Sequence, residues 1–268
     1  MRTILKNISW LNYLYNSFRI CSLKLAGCSQ GLDYKKLIDI VPDIEDHYTT
    51  TSLTTDYIKL KVRLMHAFQI DTVIHCPLTI FKVNNITDIG DSSGTHLTYI
   101  KWFFKQVNFR TLSVNINSEA VEKIKAKGMD AVQYDAEEYV KNKLYENTIL
   151  LFETLEHFEN PISFLKNLRK NSFANIIITV PYLKRSRVGL HHLRNKYHAD
   201  TQGLLPEDVH IFELCPEDWK LIFNYCGWEV KYEKIYYQYP RNIPVISTLL
   251  KWYWRRMDFE GFYGVVLR

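Results

Sequence analysis

The sequence predicts an α/β fold: a Rossmann-like, seven-stranded, mostly parallel sheet with helices on both faces, preceded by an N-terminal helical extension. Three observations predict it. From residue 84 onward, short apolar runs alternate with amphipathic stretches, the order expected of strands and crossover helices. The runs are apolar almost throughout, as strands covered on both faces must be. Two of the ten glycines, Gly90 and Gly94, stand where the first strand has to turn into a helix.

The candidate strands are 85–90, 110–116, 129–134, 147–152 and 174–181, and the helices between them are 95–106, 118–127, 136–143 and 160–170. Pro216 starts a further helix that runs to about Cys226 and is ended by Gly227. A strand at 228–238, a helix near 243–256 and a last strand at 262–267 complete the series. Residues 84–268 therefore read as the sheet domain and 1–83 as a helical extension, with apolar residues at helical spacing in Ile4, Ile8, Leu11 and Leu14 and again from Ile58 to Phe68.

With 268 residues, 47% of them apolar, the chain can bury a sizeable core. No segment approaches the run of about 18 apolar residues that a spanning helix requires, and Asn7, Asn12, Asn16 and Ser17 interrupt any leader-like apolar stretch. The expectation is a soluble cytoplasmic protein whose five cysteines, none in a C-x-x-C pair, are ordinary reduced thiols. Residues 1–32 carry Arg2, Lys6, Arg19 and Lys24 and no acid. Such a basic helix can lie on an anionic membrane or pack on the main domain, and packing is the commoner use. The net charge of +5 is too mild to imply nucleic acid by itself.

The most informative segment is Asp88-Ile89-Gly90-Asp91-Ser92-Ser93-Gly94, because ligands of such sheets bind at the carboxyl ends of the strands and at helix N-termini. It resembles the D-x-G-x-G-x-G loop of class I S-adenosylmethionine-dependent methyltransferases. Thr148 to Phe158 with its Leu155-Glu156-His157 run, Ile176 to Tyr182 with Val180-Pro181, and His210-Ile211-Phe212 before Pro216 to Trp219 are similar to later segments of that family, in the same order.

The resemblance implies S-adenosylmethionine as cofactor and assigns roles by position. Asp88, Gly90 and Gly94 would hold its methionine part, with Ser92 at the position of the middle glycine. Asn115 falls where the family has a ribose-binding acid, so only an amide oxygen is offered there, with Glu119 as the nearby acid that could assist. Ile116 would lie against the adenine, Asp135 and Ala136 would meet its amino group, and Phe152 would border the sulfonium. Helix capping and core packing are the plainer roles for Asp135 and Phe152, and a structural role is expected for Glu156 and His157.

The stretch 182–210 is long and irregular, as binding loops and lids are. It begins with Tyr182, Lys184, Arg185, Arg187, Arg194 and Lys196 and has no acid before Asp200. Arg185, Arg187, Arg194 and Tyr182 are the candidates for holding an anionic acceptor: a phosphate, sugar phosphate, nucleotide sugar or acidic glycan. His210, and after it His192, are the candidate general bases for a hydroxyl nucleophile. No metal-ligand spacing is evident, so a metal-free reaction is expected. O-methylation of a small acceptor is the activity implied. Two alternatives stand beside it: an RNA methyltransferase, although no RNA-binding module is attached, and a degenerate methyltransferase fold used for interaction.

Overall fold

A computed structural model of the chain describes residues 9–49, 52–75, 85–142, 148–171, 175–190, 209–240 and 261–268. Three helices come first: α1 (Ser9–Ser29), α2 (Tyr34–Ile40) and α3 (Asp56–Ile74). Strands β1 (Asn85–Ile89), β2 (Arg110–Asn115), β3 (Asp130–Gln133), β4 (Thr148–Phe152) and β5 (Asn175–Tyr182) then alternate with α4 (Thr95–Phe103), α5 (Ser118–Ala126), α6 (Ala136–Asn142) and α7 (Pro161–Asn171). After β5 come β6 (Arg187–Val188), β7 (Phe212–Glu213), α8 (Pro216–Tyr225), β8 (Val230–Tyr237) and β9 (Gly261–Leu267).

The main sheet has seven strands in the order β3-β2-β1-β4-β5-β9-β8. β1 to β5 are mutually parallel, and β9 runs antiparallel to both β5 and β8. The order reverses beside β1, so a crevice opens at the carboxyl ends of β1, β2 and β4. All seven strands expected from the sequence are present. A second, two-stranded ladder of β6 and β7 was missed, because two-residue strands leave no period to read. The helix expected at 243–256 lies outside the described residues, as do His192, Arg194 and most of the basic stretch.

Each central strand feeds two cores. In β4, Leu150 and Phe152 face one and Ile149 and Leu151 the other. α6, α7 and α8 cover the second face with Val140, Phe164, Leu165, Leu168, Trp219 and Phe223. α4 and α5 cover the first, and so do the N-terminal helices: Leu23, Leu37, Leu64 and Phe68 share one core with Ile86, Leu150, Ile177 and Val266. The helices of residues 9–75 are thus a layer of the same folded unit.

α3 is the central member of that layer. Thr55 caps it, its side-chain oxygen accepting from the Ile58 amide at 3.2 Å. Phe68 stacks on Tyr236 of β8, with ring centroids 5.8 Å apart. A Cβ at Gly264 would come within 2.8 Å of Phe68 Cζ, so β9 lies hard against the helix. α1 lies in turn on α3, with Leu64 filling the space where Gly27 has no side chain and the Arg19 guanidinium 3.4 Å from the Tyr57 ring centroid. The buried Arg63 donates to the carbonyls of Leu37 (3.3 Å), Val41 and Pro42 (3.0 Å) and to Tyr99 Oη. It ties the end of α2 to α3 and α4, and so fixes the segment that carries His47. No described helix is long and apolar enough to cross a membrane.

Phe68→Ala should cost about 3–5 kcal/mol, the usual loss for a large buried aromatic. Because α3 and the sheet share one core, denaturation followed by far-ultraviolet and tryptophan signals should still show a single, earlier transition. Two separate transitions would mean that the helical layer unfolds on its own.

Candidate functional site

The crevice is built on the turn between β1 and α4. Gly90 has φ +94° and donates its amide to Val114 O at 3.0 Å. Gly94 has φ +73° and precedes α4. A Cβ at Gly90 would sit 2.6 Å from Thr154 Oγ1, and both glycines hold a positive φ that side-chain-bearing residues rarely adopt, so the turn demands them. Among the described non-glycine residues only Glu153 has a positive φ. Ser92 therefore occupies its position without entering the left-handed region, and the serine is tolerated. Asp91 does the capping that Gly94 cannot, its Oδ1 accepting from the amides of Ser93 (3.4 Å) and Thr95 (3.2 Å).

Behind this turn lies a buried group of charged and polar side chains. Asp88, at the end of β1, is fully buried. His96 Nδ1 lies 3.3 Å from Asp88 Oδ2 and 3.7 Å from Asp91 Oδ1, close enough for ion pairs. The geometry falls short of hydrogen bonding, and both Asp88 oxygens and both His96 nitrogens lack a hydrogen-bond partner. Burial first, then the neighbouring Asp91, pushes the Asp88 carboxyl up to about 7. For His96, burial works downward, but Asp91 and Asp88 outweigh it and the imidazole is raised. His47 is driven down to about 3 by burial and by His96, and the fully buried His66 is driven well below its ordinary value by burial and then by His47. Glu153 adds a third carboxyl. It follows β4 with φ +50°, a sparsely populated conformation held by its amide bond to Thr179 O at 2.8 Å, and burial raises it to about 8.

Asp88, Gly90, Ser92 and Gly94 form the turn, and Phe152 is buried edge-on to His96 with centroids 5.0 Å apart. Asn115, 8% exposed at the end of β2, has its amide used at both ends: Oδ1 accepts from the Asn117 amide at 2.8 Å and Nδ2 donates to Asp91 O at 3.4 Å. Ile116 is 54% exposed just beyond it. Asp135 takes its capping role at α6, accepting the Glu138 amide at 3.0 Å, and Ala136 opens that helix. Glu119 is exposed and paired with Lys123 at 3.2 Å.

A second cluster lies past the carboxyl ends of β4 and β5. His210 Nδ1 is 3.5 Å from Glu213 Oε1, and the His210 ring meets that of His157 edge-on at 4.6 Å. His157 Nδ1 is bonded to Val209 O at 3.1 Å, and Glu156 is buried, its carboxyl raised well above the ordinary range by burial and then by Glu153. Arg187 was expected to hold an acceptor, but its guanidinium forms an ion pair with Glu213 at 2.7 Å across the β6–β7 ladder, which places it among the structural groups. Arg185 is exposed, and Tyr182 is half-buried against Tyr237.

Sequence reasoning missed His47, His66, His96 and Glu153. The three histidines sit on a loop, on α3 and on α4, and no local spacing joins them. The only local sign was His96, two residues past Gly94. His47, His66 and His96 each present a possible ligand nitrogen within 4.8 Å of the others, and Asp88 with Asp91 and His96, or Glu156 with His157 and His210, form similar groups. The chain is therefore richer in metal-ligand geometry than its sequence spacing indicated.

No protein-family model matches the sequence, and no curated protein matches it. Solved structures do. A SAM-dependent methyltransferase from Archaeoglobus fulgidus is 19% identical over 76% of this chain and 93% of its own, with a TM-score of 0.50. A SAM-dependent methyltransferase from Leishmania major is 13% identical over 88% of this chain and 82% of its own, with a TM-score of 0.54. The cyclase SpnF is 10% identical over 87% of this chain and 94% of its own, with a TM-score of 0.51. The fold is that of the class I methyltransferases.

Burial of Asp88 gives a test by pH. Its carboxyl is raised from 3.8 to about 7 on folding, so the folded chain keeps a proton that the unfolded chain releases. The stability this contributes is complete below the unfolded value and is lost as pH rises through 7. Without ligand, the unfolding free energy of Asp88→Asn relative to wild type should therefore rise by on the order of 1 kcal/mol per pH unit between pH 4 and 7. A difference that does not change with pH in denaturant titrations would show that Asp88 ionises as in water.

Proposed function

We propose that the protein is an S-adenosylmethionine-dependent methyltransferase that methylates an oxygen of a small anionic or glycan-type acceptor. The observation that carries this reading is Asp88: a buried carboxylate without a hydrogen-bond donor, at the carboxyl end of β1 and two residues before the first turn glycine. Leaving such a group unpaired is costly. The cofactor's ammonium group would supply a charge-assisted donor at that place.

The remaining residues fit the same ligand by degrees. Asn115 Oδ1 keeps one lone pair for a ribose hydroxyl after accepting the Asn117 amide. The exposed Ile116 and the half-buried Ala136 offer apolar surface for the adenine, and Asp135 keeps its second carboxylate oxygen for the adenine amino group. Phe152 borders the place of the sulfonium. When bound, the cofactor supplies a methyl group already activated as a leaving sulfonium. The chain's own work is then to align an acceptor oxygen and take its proton. His210 suits the second task, because Glu213 at 3.5 Å from Nδ1 orients the ring as a partner acid orients a general base. Arg185 and Tyr182 suit the first, with Arg194 and His192 as further acceptor-side groups.

The cellular setting proposed is the cytoplasm, supported by the free thiols of Cys21, Cys28, Cys215 and Cys226. One observation favours the competing reading of a methyltransferase fold without the reaction: His96 already brings its imidazole against Asp88.

Calorimetric titration with S-adenosylmethionine and S-adenosylhomocysteine separates the two readings. The proposal expects one site per chain, and Asp88→Asn should weaken it by about tenfold or more, the worth of one hydrogen bond to a charged group. No heat at millimolar ligand would leave only the fold. For the acceptor, a methyl-transfer screen over sugar phosphates and nucleotide sugars should identify a substrate whose KM rises by roughly tenfold in Arg185→Ala, while the cofactor KM stays unchanged. An unchanged acceptor KM would remove the anionic class.

A further inference from the structure

We propose that His47, His66 and His96 form a binding site for a divalent transition-metal ion of the zinc type, which ties the N-terminal helical layer to the β1–α4 turn. The inference does not depend on methyl transfer. Its starting point is a distance. Two nitrogens bound to one tetrahedral zinc at its usual Zn–N length lie about 3.3 Å apart, and His47 Nε2 and His66 Nε2 are 3.3 Å apart. One nitrogen of His96 completes a set in which all three lie within 4.8 Å of one another.

His47 has the surroundings of a ligating imidazole and His96 faces a carboxylate, while His66 Nδ1 has no hydrogen-bond partner. Ligating rings present one nitrogen to the ion while the other is held by a hydroxyl, carbonyl or carboxylate. His47 Nδ1 is held by Thr95 Oγ1 at 3.2 Å and Ser93 Oγ at 3.3 Å, which turns Nε2 to the cluster. His96 Nδ1 lies within ion-pair reach of Asp88 Oδ2 at 3.3 Å, on the side where zinc sites place a carboxylate, and neither of its nitrogens has a hydrogen-bond partner. All three rings are at least nine-tenths buried. Without an ion, His47 and His66 have one proton between their facing nitrogens, and His96 Nε2 is left unpaired, an expensive state for buried polar atoms. An ion would take the facing nitrogens of His47 and His66 together with one nitrogen of His96. Three neutral nitrogens with one further position, open to water or to the unpartnered Asp91 Oδ2, select zinc or a neighbouring transition metal over calcium or magnesium.

The placement suggests a clamp. His47 lies on the loop after α2, His66 on the buried face of α3, and His96 on the first turn of α4 behind the glycines. A shared ion would cross-link three segments far apart in sequence, and its binding free energy would add to the folded state of the whole chain.

The test uses the full chain after chelator treatment and removal. Titration with zinc against a chromophoric chelator should give one equivalent bound, cobalt should give the visible absorption of a tetrahedral site, and zinc should raise Tm. His47→Gln and His66→Gln should each weaken zinc by about a hundredfold or more. Should either fail to fold, Thr95→Val keeps all three rings, removes only a group holding His47, and should weaken zinc about 10–100-fold. His157→Ala removes a ligand of the other cluster and should leave affinity and stoichiometry unchanged. Absence of zinc binding overturns the proposal. So does binding that survives His47→Gln, His66→Gln and Thr95→Val, or binding that disappears with His157→Ala.

Discussion

A carboxylate sealed at the end of the central strand is the constraint around which this molecule is organised. Asp88 lies on β1, between β2 and β4, where water does not reach it. Ionised and alone, such a group would cost several kcal/mol. Polar groups from distant segments surround it: the His96 imidazole from α4 favours the charge, Asp91 from the turn opposes it, and His47 and His66 from the N-terminal layer pack against His96. The sheet topology puts the crevice there, and the two glycines let the chain turn within it without a clash.

The N-terminal helices matter because they complete this enclosure. α3 fills the first face of the sheet with Leu64 and Phe68 and carries His66 to the buried cluster. Arg63, one turn earlier, holds the end of α2 and its following loop through three carbonyls, so the segment bearing His47 is fixed by the helix that bears His66. Thr49 extends the contact to Asn117 Nδ2 at 3.3 Å, beside the Asn115 amide. The same layer therefore supports the core and carries two of the three clustered histidines.

How much of this was legible depends on how local each signal is. β4 and β5 could be read directly, since Thr148 to Phe152 and Ile176 to Val180 are apolar on both faces. The helix after β4 was expected at 160–170 from its amphipathic spacing, and in the structure the Asn160 side chain caps it, accepting the Ser163 amide at 2.9 Å. Asp88 and the glycine turn were legible because strand end, acid and glycines are contiguous. The histidine cluster was not, because its members meet only after α3 docks on the sheet. Arg187 misled for the converse reason: the basic run looked uncompensated in sequence, while its acid, Glu213, arrives across a two-residue ladder. Asn115 was placed correctly at the end of β2, but nothing in the sequence told that its amide would be turned onto the backbone of Asp91 and Asn117.

The central claim is that Asp88 is kept for a ligand's ammonium group, and a crystal structure of the chain with S-adenosylhomocysteine tests it most directly. The account predicts the ligand in the crevice at the ends of β1, β2 and β4, with its amino group within hydrogen-bond distance of an Asp88 oxygen and its ribose beside Asn115. A ligand bound elsewhere, or one seated in the crevice while Asp88 keeps only His96 as its partner, would contradict it.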